Sequence, residues 1–219
     1  MVLWSKPSTI LRGVRPLSPY YDQLWEDAPD PLPAFDVAPR QAFLLEHVRG
    51  GERVLDLGCG EGDFAAAAAQ GGAGEVVGVD VAAEAVRRAR ARHPAVRFER
   101  VGGELPAPDA SFDLVWCSEV LEHVLDTASF LSEARRVLRT GGLLLVTTPA
   151  HGRVRRLALA LAGWERHFDP RGPDLRFYTA RSLRDLLHDF GFEAVRVRSK
   201  GRHLFASAHR AGPHARRPD

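Results

Sequence analysis

The sequence predicts an α/β protein: a three-layer sandwich whose mostly parallel, seven-stranded sheet ends in a C-terminal antiparallel hairpin. Three observations carry this expectation. Between Arg40 and Thr148, short β-rich runs alternate with segments of helical periodicity, the rhythm of strands joined by crossover helices. A glycine-rich turn, Gly58-Cys59-Gly60-Glu61-Gly62, directly follows the first of those strands. The last two strand-like runs are separated only by Ser199-Lys200-Gly201, too short a link for a parallel crossover.

Composition fits one such domain in 219 residues. Hydrophobic residues make up 45% and charged residues 26% of the chain, which excludes a disordered protein. Thirty basic against 28 acidic side chains leave a net charge of +2, not the field of a dedicated nucleic-acid binder. Two cysteines, Cys59 and Cys117, supply neither a disulfide framework nor a four-thiolate zinc site. The N-terminus carries no signal-peptide core, and no run nears the roughly 20 apolar residues of a membrane span. A cytoplasmic protein without a transmembrane segment is expected.

Taken in order, residues 1–39 hold seven of the 15 prolines, so an N-terminal arm or lid with short, interrupted structure is expected. Within it Tyr20, Tyr21, Leu24 and Trp25 fall at helical spacing and predict one short amphipathic helix. The main domain is expected over 40–208. Phe43, Leu44, Leu45 and Val48 share the face of a helix that stops at Gly50-Gly51. A strand over 53–57, the glycine turn, an alanine-rich helix over 61–70 and a strand over 75–79 follow. A helix over 82–92 ends before His93-Pro94, because the residue preceding proline leaves the α region. Strands over 96–100, 112–117 and 143–148, with a helix over 128–138, continue the alternation. Crossover helices then cover both faces, and ligands bind outside the carboxyl ends of the strands. A helix over 182–190 leads to the terminal strands, 192–198 and 202–208, and a basic, disordered tail is expected over 209–219.

The glycine turn is the candidate nucleotide site. Glycines accept positive φ and let a ligand approach the backbone, while the following helix offers unpaired N–H groups. Asp80 ends the second strand 20 residues after Gly60, where a carboxylate can take both ribose hydroxyls. A plain tight turn capped by Asp80 is the bland alternative. A pyrophosphate is disfavoured by Asp56, Glu61 and Asp63 around the turn, whose acidity suits a cationic ligand.

Val54 to Gly62 resembles the cofactor motif of class I S-adenosylmethionine-dependent methyltransferases, which are Rossmann-like. Ser111 to Cys117, Glu119 to Val124 and Arg135 to Leu143 are similar to the same family, so the resemblance covers about residues 40–208. It implies S-adenosylmethionine as cofactor, with Asp56, Gly58 and Gly60 on the methionine part, Asp80 on the ribose and Val81 beside the adenine. Cys59, Gly103, Leu105, Ser118 and Glu119 complete the implied cofactor set. The family's adenine-binding Asp is replaced here, as the chain reads Val101-Gly102-Gly103-Glu104 before Leu105-Pro106, so Glu104 or backbone must substitute.

Glu119, Glu122 and His123 follow the strand that ends at Cys117. Their i, i+3, i+4 spacing puts them on one face if a helical turn forms, where they could hold Mg²⁺, Mn²⁺ or Zn²⁺. The alternative is that they only cap and pair to order the loop. Glu-x-x-Glu-His resembles the metal motif of ubiquinone-pathway O-methyltransferases and of small-RNA 2′-O-methyltransferases; the latter add a downstream His. Here His167 and Asp174 are both candidates for that ligand, or His167 merely fixes a loop. His123, assisted by Glu122, is the candidate base for a hydroxyl nucleophile.

The reading is methyl transfer to a small-molecule acceptor, at oxygen rather than nitrogen. The rivals are a metal-assisted RNA 2′-O-methyltransferase and a non-catalytic cofactor-binding partner subunit. Val154 to Trp164 is apolar enough for a lid over a hydrophobic substrate, for plain core, or for a weak membrane-surface contact flanked by arginines. Tyr20, Tyr21, Trp25 and Phe35 of the arm either close over the site or pack against the domain.

Overall fold

The computed structural model describes residues 18–31, 36–102, 104–151, 161 and 174–212. The order of elements is α1 (Ser18–Asp27), α2 (Val37–Leu45), β1 (Arg53–Leu57), α3 (Asp63–Gln70), β2 (Glu75–Asp80), α4 (Ala83–Arg92), β3 (Arg97–Arg100), β4 (Phe112–Ser118), α5 (Thr127–Val137), β5 (Leu138–Pro149), α6 (Ala180–Asp189), β6 (Phe192–Lys200) and β7 (His203–Arg210). The seven strands form one sheet in the order β3-β2-β1-β4-β5-β7-β6. The first five run parallel, and β7 lies antiparallel between β5 and β6.

Alternate residues along the strands feed two cores, because successive side chains of a strand point to opposite faces. Val54, Leu114, Trp116, Leu145 and Phe205 pack with Phe43 and Leu44 of α2, Ala65 and Ala68 of α3, and Val86 and Ala89 of α4. Leu55, Val115, Cys117, Val146 and Ala206 pack with Leu131 and Ala134 of α5 and Leu183 and Leu187 of α6. The sheet is therefore covered on both faces, the three layers that the strand–helix rhythm predicts. No helix among the described residues is long and apolar enough to cross a membrane.

Several boundaries move for local reasons. The helix of the first core face starts at Val37 and carries Pro39 in its first turn, where the missing N–H has no intrahelical partner, so the 39/40 boundary falls inside α2. The last helix starts two residues early because Thr179 and Ser182 form a capping box. β5 starts at Leu138 rather than 143 because Phe112 pairs with Leu138 before the register shifts. β7 runs through Arg210, with His209 opposite Leu143, so the expected tail does not begin at 209. Residues 213–219 lie outside the described residues.

Candidate functional site

β1 ends at Leu57 and delivers the chain into the glycine turn at the carboxyl edge of the sheet. Gly58 adopts φ +83°, and a Cβ there would overlap Val120, so both conformation and space require glycine. The N–H groups of Gly58 and Cys59 both donate to Val79 O, at 2.8 and 2.9 Å, tying the turn to β2. Asp80 completes the tie: its Oδ2 accepts from Gly60 N at 3.0 Å and its Oδ1 from Ala82 N at 2.9 Å.

Two carboxylates thus flank the turn. Asp56 is 2% exposed, and burial, followed by the neighbouring Asp80, pushes its pKa up to about 8. Its Oδ2 is buried and meets no hydrogen-bonding partner among the described residues. Burial also raises Asp80, against the pull of the backbone N–H groups it accepts from. An unsatisfied buried carboxyl oxygen is costly, and an ammonium group is the partner that would relieve it. Burial pushes the Cys59 and Cys117 thiols up, so neither is a thiolate.

Of the residues expected beside the adenine, Val81 is half-buried and Leu105 is buried. Leu105 N donates to Glu133 Oε2 at 3.0 Å, and Arg136 donates to Leu105 O and Ala107 O, so α5 holds this loop. Glu104 is exposed, and Gly103 lies outside the described residues.

α1 crosses the mouth of the site. Trp25 lies over Gly60, its ring carbons 3.2 Å from where a Cβ would stand. The Tyr21 hydroxyl donates to His123 O at 3.0 Å, and burial raises its pKa to about 12, helped by Tyr20, Asp80, Asp174 and Glu122. Asp22 Oδ1 accepts from Ala83 N at 2.6 Å and Oδ2 from Arg100 at 2.9 Å. Buried Arg88 donates to Trp25 O, Ala28 O and Pro29 O, at 2.8, 3.1 and 3.0 Å. Tyr21 and Trp25 pack against the domain at His123 and Gly60; Tyr20 is exposed, and Phe35 is outside the described residues.

Beyond β4 the Glu119–His123 motif does not take the helical turn that would put its side chains on one face. Residues 119–123 form a turn, not a helical face, because Glu119 sits at φ +54°. Glu119 turns toward β5 and β7: its Oε1 accepts from Thr147 Oγ1 at 3.0 Å and lies 3.2 Å from His203 Nδ1. Ser118 Oγ bonds Thr147 Oγ1 at 2.8 Å and accepts from Arg40 at 3.1 Å. Glu122 turns inward, 2% exposed, and its Oε2 accepts from Thr148 Oγ1 at 3.0 Å. Burial first, then Glu119, pushes Glu122 up to about 8. His123 faces another way, its Nδ1 3.2 Å from Asp174 Oδ1.

Glu119, Glu122, His123 and Asp174 therefore do not assemble the expected metal set. No group of three His, Cys, Asp or Glu able to hold a metal exists among the described residues. The three motif side chains turn to different partners: Glu119 to Thr147 and His203, Glu122 to Thr148, and His123 to Asp174. His167 and most of the Val154 to Trp164 segment lie outside the described residues. His203, which sequence reasoning missed, reaches Glu119 only because β7 inserts beside β5 with His203 opposite Pro149.

A family model described as a methyltransferase domain matches residues 23–197. A probable S-adenosylmethionine-dependent methyltransferase of Mycolicibacterium smegmatis is 45% identical over 106 residues, 48% of this chain and 41% of that protein. The 27-O-demethylrifamycin SV methyltransferase of Amycolatopsis mediterranei is 35% identical over 168 residues, 66% of this chain and 61% of that protein. The chain thus spans from about two fifths to three fifths of these relatives. A solved S-adenosylmethionine-dependent methyltransferase from Mesorhizobium loti is 26% identical, with a TM-score of 0.63 over 81% of this chain and 99% of that one.

Proposed function

Since this chain belongs to the methyltransferase-domain family, we propose that it transfers the methyl group of S-adenosylmethionine to a hydroxyl oxygen of a small-molecule acceptor. The observation that carries the cofactor half is the pair of carboxylates at the glycine turn, Asp56 buried and Asp80 half-buried. Asp56, with its unpartnered Oδ2, suits the ammonium of the methionine part, and Asp80 suits the ribose hydroxyls. Gly58, Cys59 and Gly60 let the cofactor approach the backbone, while Val81, Glu104 and Leu105 border the adenine and Ser118 and Glu119 close the set. When bound, the cofactor supplies an electrophilic methyl on a cationic sulfur.

The protein's own work is alignment and proton removal. Positioned reactants reach effective molarities of about 10⁵–10⁸ M, so holding the acceptor in line supplies much of the acceleration. In this reading His123 takes the hydroxyl proton, its ring oriented by Asp174, whose Oδ1 lies 3.2 Å from Nδ1. Glu122, raised to about 8, is protonated at neutral pH and anchors the loop through Thr148. Its main-chain oxygen accepts from Leu175 N and Arg176 N at 2.9 and 3.1 Å, which sets Asp174 against His123.

Oxygen as the methylated atom is supported by the relative named for 27-O-demethylrifamycin. The test is incubation with methyl-labelled S-adenosylmethionine and cell extract, followed by fractionation into small molecules, RNA and protein. Label in an alkali-stable, organic-soluble product is expected. Label confined to RNA or protein overturns the reading.

A further inference from the structure

β6 is one edge of the sheet: β7 pairs with one side of it, and among the described residues no strand pairs with the other. Every second residue of such a strand turns its N–H and C=O outward, a template for one more strand. Val195 and Val197 pack on the core under α5 and α6. Arg196, Arg198 and Lys200 therefore share the opposite face, stepping about 6.6–6.8 Å apart along the strand.

Arg198 anchors that face. Its guanidinium carbon lies 5.2 Å from the centre of the Phe43 ring and 5.9 Å from that of Phe205, and the group meets Glu46 of α2 at 3.2 Å. Arg196, Lys200 and Arg202 of the following turn are exposed and form no ion pair or side-chain hydrogen bond among the described residues. Three unpaired cations thus line an open strand, on a chain whose net charge is only +2.

The charge pattern selects the occupant. Residues opposite each other on neighbouring antiparallel strands bring their side chains together, and like charges placed so are destabilising. A second copy of β6 paired about Arg198 would set Arg196 against Lys200 and Arg198 against itself, so the stripe opposes self-association. The rest of the chain supplies no complement, because outside the described residues its acids are Glu165, Asp169 and Asp219, at no alternating spacing. Bases would find no ring to stack on, since Phe43 and Phe205 are 4% and 2% exposed beneath Arg198.

We propose that the open edge of β6 docks an extended acidic segment of a partner protein as an eighth strand, with Asp or Glu at alternating positions beside Arg196, Arg198 and Lys200. Main-chain hydrogen bonds supply the pairing and the alternating charges supply the selectivity. Lys200 lies opposite His203, which reaches Glu119 and Asp36, so the docked segment ends at the carboxyl edge of the sheet. This docking is independent of the methyl-transfer reading.

The test uses the full chain at about 0.15 M salt, where exposed charges more than about 8 Å apart are largely screened. Its probes are two short fluorescent peptides of one composition, Glu alternating with Thr and Val in the first and contiguous in the second, and an oligouridine of equal charge. The alternating peptide is expected to bind about tenfold or more tighter than the contiguous one. It is also expected to slow amide hydrogen exchange in β6 and not in β3 at the other edge. Arg196→Glu with Lys200→Glu, both at exposed and unpaired positions, is expected to reverse the preference toward a peptide with Lys in place of Glu, at unchanged Tm. Arg196→Gln with Lys200→Gln is expected to weaken binding of the acidic peptide without that reversal. Equal affinity for the two acidic peptides, or unchanged exchange in β6, overturns the proposal. So does the absence of saturable peptide binding below about 1 mM. Oligouridine binding tighter than either peptide assigns the stripe to nucleic acid and overturns it as well.

Discussion

His123 and Asp56 carry the two halves of the proposed chemistry, and each makes a separate forecast. His123→Ala removes a proton acceptor whose contribution is typically about 10²–10⁴-fold. The expected result is a fall in kcat of about 10²-fold or more, with S-adenosylhomocysteine affinity unchanged; retained turnover at saturating substrate excludes the role. Asp56 bears on cofactor capture. Its pKa near 8 leaves it mostly protonated at pH 7, whereas pairing with an ammonium favours the carboxylate. Cofactor binding is therefore expected to release roughly one proton at pH 7. Calorimetry in buffers of different ionisation enthalpy measures it directly, and Asp56→Asn should abolish the release. The sequence made Asp56 and Asp80 legible because Asp56 lies two residues before the turn and Asp80 ends the next strand, 20 residues after Gly60. Glu122 was also named from its motif, but not its inward rotamer, since that depends on Thr148 of a neighbouring strand.

At the scale of elements, helices were legible and their docking was not. Tyr20, Tyr21, Leu24 and Trp25 announce α1 by spacing alone, yet nothing local says that Trp25 lands on Gly60. Docking is set by Arg88, which is buried and spans α1 and α4 with three carbonyls, Glu84 and Glu61. Removing one member of a buried charged network strands its partners, at a cost of about 3–5 kcal/mol. Arg88→Ala is expected to lose a sizeable part of that range and to expose residues 18–31 to limited proteolysis. A variant with unchanged cleavage and unchanged Tm excludes Arg88 as the clamp. The motif 119–123 fails in the opposite sense: its spacing suits a helix, but Glu119 takes a left-handed backbone and hands its carboxylate to β7. Helical periodicity over five residues was too short to outweigh the chain's exit from β4.

Across the whole molecule, the cofactor half is local in sequence and the acceptor half is not. Glu119 and His203 are 84 residues apart, joined by an antiparallel insertion whose register no short pattern encodes. The same rim concentrates buried acid. Asp56 and Glu122 are each raised to about 8, chiefly by burial, and Asp80 is raised beside them. A carboxyl whose folded pKa lies above its unfolded value of about 4 contributes stability that is fully present below pH 4 and is lost as pH rises through 8. Glu84, lowered to about 2 by Arg87 and Arg88, acts in the reverse sense, its contribution present above about pH 4 and lost as pH falls through about 2. The cofactor-free protein is therefore expected to show its highest Tm near pH 4, with a decline toward pH 8 that levels off above it. Asp56→Asn with Glu122→Gln should flatten the alkaline limb and leave the acid limb in place, because the amides carry no proton to lose. Thermal unfolding between pH 3 and pH 9 decides it: an alkaline limb equally steep in the double variant would place the pH dependence elsewhere in the fold.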